Sequence, residues 1–146
     1  MTVSFSCDHA GFEFKKSILE YLLEKWYDVL DLSPESIDPL DDFPDFAPRV
    51  CDSIIDKKAD RGILVCGTGI GMSIAANRHK NIRAVVGYSS EITKISRSHN
   101  DANVVCFWAR TMNIEDVYRS LDIFLSEPFL GDKYKRRNEK IDFCSC

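Results

Sequence analysis

The chain has 146 residues, 45% hydrophobic and 29% charged, which is enough for one globular domain, 1–146, with its own core. Its formal net charge of −4 argues against a surface-wide attraction to nucleic acid or to acidic membranes, so any anion site must be local. No apolar run approaches the length of a bilayer span, and the N-terminal MTVSFSCDHAG lacks the pattern of a secretory signal. We therefore expect a cytoplasmic protein with neither a nucleic-acid nor a membrane partner.

Five short apolar runs alternate with helical patterns along the chain, at residues 3–7, 29–32, 62–66, 83–86 and 104–107. This alternation is typical of a parallel sheet whose connecting helices cover both of its faces. The sequence thus predicts an α/β fold of three layers, a doubly wound, Rossmann-like, five-stranded parallel sheet with an additional C-terminal helix.

The helical patterns have recognisable faces and ends. The first predicted helix places four apolar residues at i, i+3, i+4 and i+7, and we expect them to face the sheet: Leu19, Leu22, Leu23 and Trp26. The second is predicted to begin at Asp42, with Pro44 in its first turn, and the C-terminal helix near Tyr134. Between the first two helices, residues 33–45 predict a surface loop whose carboxylates are solvated and bind no metal.

The six cysteines predict free thiols of a reducing compartment, because a chain of this length builds a core without disulfides. They are Cys7, Cys51, Cys66, Cys106, Cys144 and Cys146.

The stretch ILVCGTGIGMSIAANR, residues 63–78, predicts a strand that ends at Cys66, a glycine-rich loop, and a helix that starts near Met72. It matches neither the GxGxxG fingerprint of dinucleotide-binding proteins nor a phosphate-loop NTPase, which needs a lysine. A cysteine phosphatase would require arginine at the position of Met72. Two interpretations remain open: tight packing around an inert thiol, or a loop whose amides stabilise a thiolate and a substrate oxyanion.

Two histidines and a basic segment also fall near predicted loops. His9 and His99 could be core residues or acid/base groups, and a zinc site formed by them with Cys66 has no supporting ligand spacing. The segment at 133–137 is either a solvated helix face or a phosphate clamp, since Lys133 and Arg137 lie one helical turn apart.

Four segments together resemble the type B ribose-5-phosphate isomerases, a family that also includes the galactose-6-phosphate isomerase subunits. They are CDHAG from Cys7, CGTGIGMSIAANR from Cys66, SRSHNDANV from Ser96, and the basic segment at 133–137. The resemblance implies a metal-independent and cofactor-free aldose–ketose isomerase that acts on a sugar phosphate through an enediolate. It also implies a homodimer whose active sites contain residues of both subunits.

The resemblance implies a role for each matching residue. Cys66 is expected to be the base, with Thr68 beside it in the catalytic loop, and His99 is expected to assist ring opening. The expected oxyanion donors are Gly67, Thr68, Gly69, Ile70, Gly71 and Asn100. Asp8 is expected to bind sugar hydroxyls, and the expected phosphate ligands are His9, Arg110, Lys133 and Arg137.

Three departures from the family pattern affect the expected substrate. Gly131-Asp132-Lys133-Tyr134 stands where Gly-Gly-Arg-His is common, Phe43 replaces a frequent tyrosine, and Trp108 replaces a small residue. Lysine cannot reproduce the bidentate grip of arginine on phosphate. The leading hypothesis is interconversion of ribose 5-phosphate and ribulose 5-phosphate. The alternatives are a six-carbon substrate, galactose 6-phosphate or allose 6-phosphate, and a non-catalytic sugar-phosphate-binding protein.

Overall fold

The computed structural model describes residues 1–143, and all five predicted strands are present. They are β1 (Thr2–Cys7), β2 (Asp28–Asp31), β3 (Arg61–Cys66), β4 (Ala84–Val86) and β5 (Val104–Trp108). The helices of the described residues are α1 (Phe12–Glu24), α2 (Ala47–Ile55), α3 (Ile70–Ala76), α4 (Ser90–Asn100), α5 (Ile114–Ser126) and α6 (Asp132–Phe143). Two short 3-10 turns precede α1 and α2, at His9–Gly11 and Phe43–Asp45.

The strands form one sheet in the order β2-β1-β3-β5-β4, and every neighbouring pair is parallel. In the central pair, Leu64 lies opposite Cys106 and Cys66 opposite Trp108. Because all strands run the same way, their carboxyl ends meet at one edge of the sheet, which is where ligands bind in open α/β sheets. The ends of β1, β3 and β5 are adjacent there.

Alternate residues of the central strands are buried on opposite faces of the sheet. Ile63 and Val65 of β3 belong to a core shared with α1 and α5. Leu64 and Cys66 belong to a second core, shared with α2 and α3. Since α4 packs beside α5, the helices form two layers around the sheet. The predicted three-layer architecture is confirmed. It arises because successive side chains of each strand point to opposite faces of the sheet, and the apolar side chains on both faces are covered by helices.

The additional C-terminal helix is also confirmed, as α6, and it begins two residues before the predicted Tyr134. It packs on α4 rather than on the sheet. The Asn138 side-chain amide donates a hydrogen bond to the carbonyl of His99 at 3.2 Å, and Asp142 pairs with Arg83 at 3.3 Å. These contacts hold the basic segment of α6 beside the end of α4.

The predicted buried face of the first helix is partly wrong. Its fully buried residues are Ile18 and Leu22, whereas Leu23 is 58% exposed and Trp26 is 93% exposed. The helix ends at Glu24, and the chain turns at Trp26 through a left-handed conformation (φ +63°) to enter β2. Trp26 therefore lies outside the helix, and its spacing from Leu22 carries no information about the buried face.

We expect Leu22→Ala to lower the free energy of unfolding by about 3 kcal/mol, because a fully buried leucine leaves a cavity when truncated. Leu23→Ala, one position along the same helix, should change it by less than about 0.5 kcal/mol, since that side chain is mostly exposed. Urea unfolding followed by circular dichroism measures both variants. Equal losses for the two would contradict the orientation of α1.

The second helix begins five residues later than predicted. Asp42 precedes the 3-10 turn that contains Pro44, and α2 itself starts at Ala47 with Pro48 in its first turn. Proline has no N–H and is compatible only with the first turn of a helix. The second proline thus sets the start of α2, and the first belongs to the preceding turn.

The thiols of Cys7, Cys51, Cys66 and Cys106 are free and buried, as expected for a chain without a disulfide framework, whereas Cys144 and Cys146 lie outside the described residues. Burial raises the pKa of Cys7 and of Cys51 to about 12, and raises that of Cys106 well above its ordinary value. Within residues 1–143, no helix combines the length and the apolar character that crossing a bilayer requires.

Candidate active site

A cleft of about 220 Å³ opens at the carboxyl edge of the sheet, between the segments that follow β1, β3 and β5. Its walls carry a thiol, an imidazole, a carboxylate, a hydroxyl and a guanidinium. The lining residues are Asp8, His9, Ala10, Phe43, Cys66, Gly67, Thr68, Gly71 and Arg110. Seven of these nine lining residues were predicted from the sequence as site residues.

Cys66 forms the buried end of this cleft, with 4% of its surface exposed. The backbone N–H of Gly69 donates a hydrogen bond to its Sγ at 3.1 Å. Gly69 has a φ of +71°, and a Cβ there would lie 3.2 Å from the carbonyl oxygens of Cys106 and Phe107. Because glycine has no Cβ, it can adopt this left-handed conformation while its backbone lies this close to the two carbonyl oxygens. The glycine therefore allows the Gly69 N–H to point at the sulfur.

Asp8 continues directly from β1 and is 5% exposed. Its carboxylate accepts a hydrogen bond from the N–H of Gly11 at 3.0 Å and so caps the 3-10 turn that contains His9. Burial raises the pKa of the Asp8 carboxyl above its ordinary value. The short turn places Asp8 and His9 next to each other at the carboxyl end of β1.

His9 has a partner that the sequence analysis missed. Its ring Nδ1 lies 2.6 Å from one carboxylate oxygen of Asp41, and its backbone N–H donates to the other at 2.9 Å. The Asp41 side chain is only 9% exposed, so the expectation of solvated carboxylates throughout residues 33–45 is wrong at this position. The two residues are 32 positions apart, and Asp41 lies in an irregular loop without periodicity that could have identified it.

Asp8, His9 and Asp41 bring one potential metal ligand each within 4.8 Å of one another. Each of the three already has a hydrogen-bond partner within the protein, because Asp41 accepts from the His9 ring and Asp8 accepts from Gly11. The arrangement is therefore described as a hydrogen-bonded His9–Asp41 pair with the Asp8 carboxylate beside it.

The opposite walls are formed by Phe43 and Arg110. A Cβ at Gly71 would lie 2.7 Å from two carbons of the Phe43 ring, so the aromatic ring is packed directly on the glycine loop. The Arg110 side chain lies against Gly67, where a Cβ would come within 3.0 Å of its Nε. The absence of side chains at these glycines lets a ring and a cation close the cleft around the thiol.

The remaining predicted site residues form a second cluster, at the end of α4 and the start of α6. The rings of His99 and Tyr134 stack with centroids 4.0 Å apart and an interplanar angle of 8°. The cationic groups of Lys133 and Arg137 lie 5.1 and 5.8 Å from the centre of the Tyr134 ring. These residues and Asn100 do not line the Cys66 cleft in the described chain. The joint role of the two clusters stays a prediction.

Two other residues from the sequence analysis lie beside the cleft without lining it. Ile70 begins α3, and its side chain is 54% exposed, so only its backbone could serve the donor loop. Trp108 pairs with Cys66 across β3 and β5 but packs its ring against Tyr88, with centroids 6.3 Å apart. The bulk of Trp108 is thus placed next to the thiol strand and outside the cavity.

The fold and the cleft define a doubly wound α/β protein with acid/base groups and an anion-attracting cation gathered around a buried thiol. The family model for Ribose/Galactose Isomerase matches residues 3–141 of the chain. The chain belongs to the ribose/galactose isomerase family. Ribose-5-phosphate isomerase B of Escherichia coli is 37% identical over 139 residues, which cover 95% of this chain and 93% of the bacterial protein.

Solved structures share the whole architecture. A ribose 5-phosphate isomerase from Thermotoga maritima is 42% identical, covers 97% of both chains and superposes with a TM-score of 0.94. The ribose-5-phosphate isomerase B of Mycoplasma genitalium, solved with bound ribulose-5-phosphate, is 37% identical with a TM-score of 0.93. That match covers 97% of this chain and 94% of the other.

Proposed function

We propose that this protein is a single-domain aldose–ketose isomerase, spanning 1–146, that interconverts ribose 5-phosphate and ribulose 5-phosphate. The observation that carries the proposal is the Cys66 sulfur, which receives an amide hydrogen bond at the base of a cleft lined by acid/base and cationic groups. Membership of the ribose/galactose isomerase family supports it, as does the relative from Mycoplasma genitalium with bound ribulose-5-phosphate.

In the proposed reaction, the Cys66 thiolate removes the proton from carbon 2 of the open-chain aldose, and the electron pair moves toward the carbonyl at carbon 1. The resulting enediolate carries negative charge on oxygen. Return of the proton from the Cys66 thiol to carbon 1 gives the ketose, and a proton passes from the oxygen on carbon 2 to that on carbon 1. The step needs a positioned base and N–H donors aimed at the oxyanion. The Gly69 N–H binds the sulfur, and we assign the oxyanion to the other backbone amides of the loop from Gly67 to Gly71.

Binding of the substrate is divided between two sets of side chains in the cleft. We assign the phosphate to Arg110 and His9, because a guanidinium and an imidazolium give charge-assisted hydrogen bonds to phosphate oxygens. We assign the sugar hydroxyls to Asp8, whose buried carboxyl lines the same cleft as the thiol. The assigned route uses side chains and backbone amides alone, without a metal or a cofactor.

We propose a homodimer in which the second cluster completes the partner's cleft. Ile70 and Ile74 lie one turn apart on α3 and are 54% and 61% exposed, an apolar stripe immediately after the thiol loop. We place the two-fold axis near this stripe and assign four residues of one copy to the partner's cleft, because they do not line the cleft of their own chain: His99, Asn100, Lys133 and Arg137. His99 would then assist ring opening, and Lys133 and Arg137 would make further contacts with the phosphate.

The free buried thiols support a cytoplasmic location, because disulfides are rare in that compartment.

The experiment is an isomerase assay on purified protein treated with a chelator. Incubation with ribose 5-phosphate should form ribulose 5-phosphate at about 1 to 1,000 turnovers per second. In heavy water the product should carry deuterium at the carbon that received the proton. Galactose 6-phosphate and allose 6-phosphate are measured in parallel, and faster turnover of either would replace the five-carbon assignment. Tight binding without turnover or exchange would favour a binding protein instead.

A further inference from the structure

We propose that Asp41 is a positioning residue for His9: its carboxylate holds the ring so that Nε2–H points, together with the Arg110 guanidinium, at the phosphate of the substrate. The inference rests on the proposed function, because it names the residue that orients a phosphate ligand of the same cleft. Asp41 itself does not line the cleft, and it acts through its contact with His9.

Asp41 binds His9 at two points. One oxygen accepts from the ring at 2.6 Å and the other accepts from the backbone N–H at 2.9 Å. The two contacts fix both the position of the residue and the rotation of its ring. Since Asp41 is 9% exposed while the His9 side chain is 35% exposed, the hydrogen-bonded edge is inside and the other edge faces the cleft.

This geometry determines which ring nitrogen can meet an anion. A carboxylate only accepts hydrogen bonds, so Nδ1 must carry a proton, and in the neutral ring Nε2 is then a lone-pair acceptor. A lone pair repels phosphate oxygens. His9 can donate to phosphate through Nε2 only as the imidazolium, in which both nitrogens carry protons. The same contact that orients the ring therefore makes phosphate binding depend on the protonation of His9.

The charged and titratable groups that face His9 come from four segments: Asp41, Asp8, Arg110 and the Cys66 thiol. The hydrogen bond to Asp41 raises the pKa of His9 above its ordinary value of about 6.5, and the charges of Asp41 and Asp8 act in the same direction. Arg110 opposes them. Because the pKa is raised, the imidazolium persists to a higher pH in the folded protein than in a free histidine.

The first test follows His9 directly in the full-length protein. Nitrogen NMR of the imidazole should show that Nδ1 keeps its proton throughout and that Nε2 loses its proton at a pH above about 6.5. In Asp41→Asn that loss should move to lower pH. Asp45→Asn is the matched control, since Asp45 is an exposed carboxylate four residues along the same segment. A neutral ring protonated at Nε2 in the unsubstituted protein would overturn the proposal without any variant.

The second test uses inorganic phosphate as the probe and compares proteins at equal pH, so that the ionisation of phosphate itself cancels. At a pH between the two Nε2 deprotonation points that the first test finds, Asp41→Asn should bind phosphate up to about tenfold more weakly than the unsubstituted protein, the loss of one charge-assisted hydrogen bond. At a pH below both points, the affinities should agree within about twofold. In a His9→Gln background, Asp41→Asn should have no further effect. Equal phosphate affinities at the intermediate pH, or an equal loss in Asp45→Asn, would overturn the proposal.

The third test uses the isomerase assay. Asp41→Asn should raise KM for ribose 5-phosphate up to about tenfold at the same intermediate pH and leave kcat within about twofold, because the assigned role of His9 is to bind the phosphate and not to transfer the proton. A drop in kcat with unchanged KM would contradict the assignment. The NMR and phosphate measurements need no turnover, so an inactive protein would refute the proposed function while these two still decide on Asp41.

Discussion

Replacement of Cys66 by alanine is expected to lower kcat for the conversion of ribose 5-phosphate by about a thousandfold. A positioned general base contributes roughly two to four orders of magnitude, and alanine has no group that accepts a proton. Cys66→Ser should lose most of the activity as well, since a serine hydroxyl ionises far less readily than a thiol. Incorporation of deuterium from heavy water should fall in parallel, because the same atom removes and returns the proton. Steady-state kinetics and mass spectrometry measure the two effects.

The control for this prediction is Cys51→Ala. Cys51 is a fully buried thiol on α2 that does not line the cleft, so its replacement tests the loss of a thiol from the core without the loss of the base. We expect kcat to stay within about twofold of the unsubstituted value. Full turnover by Cys66→Ser, with a circular dichroism spectrum and melting temperature close to those of the unsubstituted protein, would remove Cys66 from the proposed role.

Mixing two inactive variants is expected to restore activity if the cleft is completed by a second copy of the chain. Cys66→Ala lacks the base, and His99→Ala lacks the imidazole of the other cluster, so each should retain below about 1% of activity. After exchange of subunits in an equal mixture, about half of the dimers are mixed, and each mixed dimer contains one site without either substitution. The expected recovery is about a quarter of the original activity.

The control mixes Cys66→Ala with a second inactive variant from the same cleft, such as Asp8→Asn. Both substitutions would then affect the part of the site contributed by one chain, so a mixed dimer would have one defect in each cleft and recovery should be absent. Equilibrium sedimentation of the same samples measures the proportion of dimer. A monomer with full turnover, or recovery in neither mixture despite complete subunit exchange, would contradict a site shared between subunits.

The local sequence pattern did not predict the helix boundaries accurately. The apolar spacing from Leu19 to Trp26 looked like one continuous stripe, yet the helix stops at Glu24 and Trp26 is 93% exposed. The stop depends on the connection into β2, where Trp26 adopts a left-handed conformation that its residue type does not favour. The strands were predicted more closely, because buried parallel strands are nearly continuous apolar runs set between helical patterns.

The sequence by itself determined the layered α/β fold, the five strands, and the loop that starts at Cys66, since these follow from local periodicity and from glycines with special backbone requirements. It also identified, through the family resemblance, most of the residues that line the cleft. Only the tertiary structure revealed Asp41 as the partner of His9, 32 residues away in an irregular loop. It alone separated the Cys66 cleft from the cluster around His99 and Tyr134. Both findings depend on contacts between distant segments, which no local periodicity encodes.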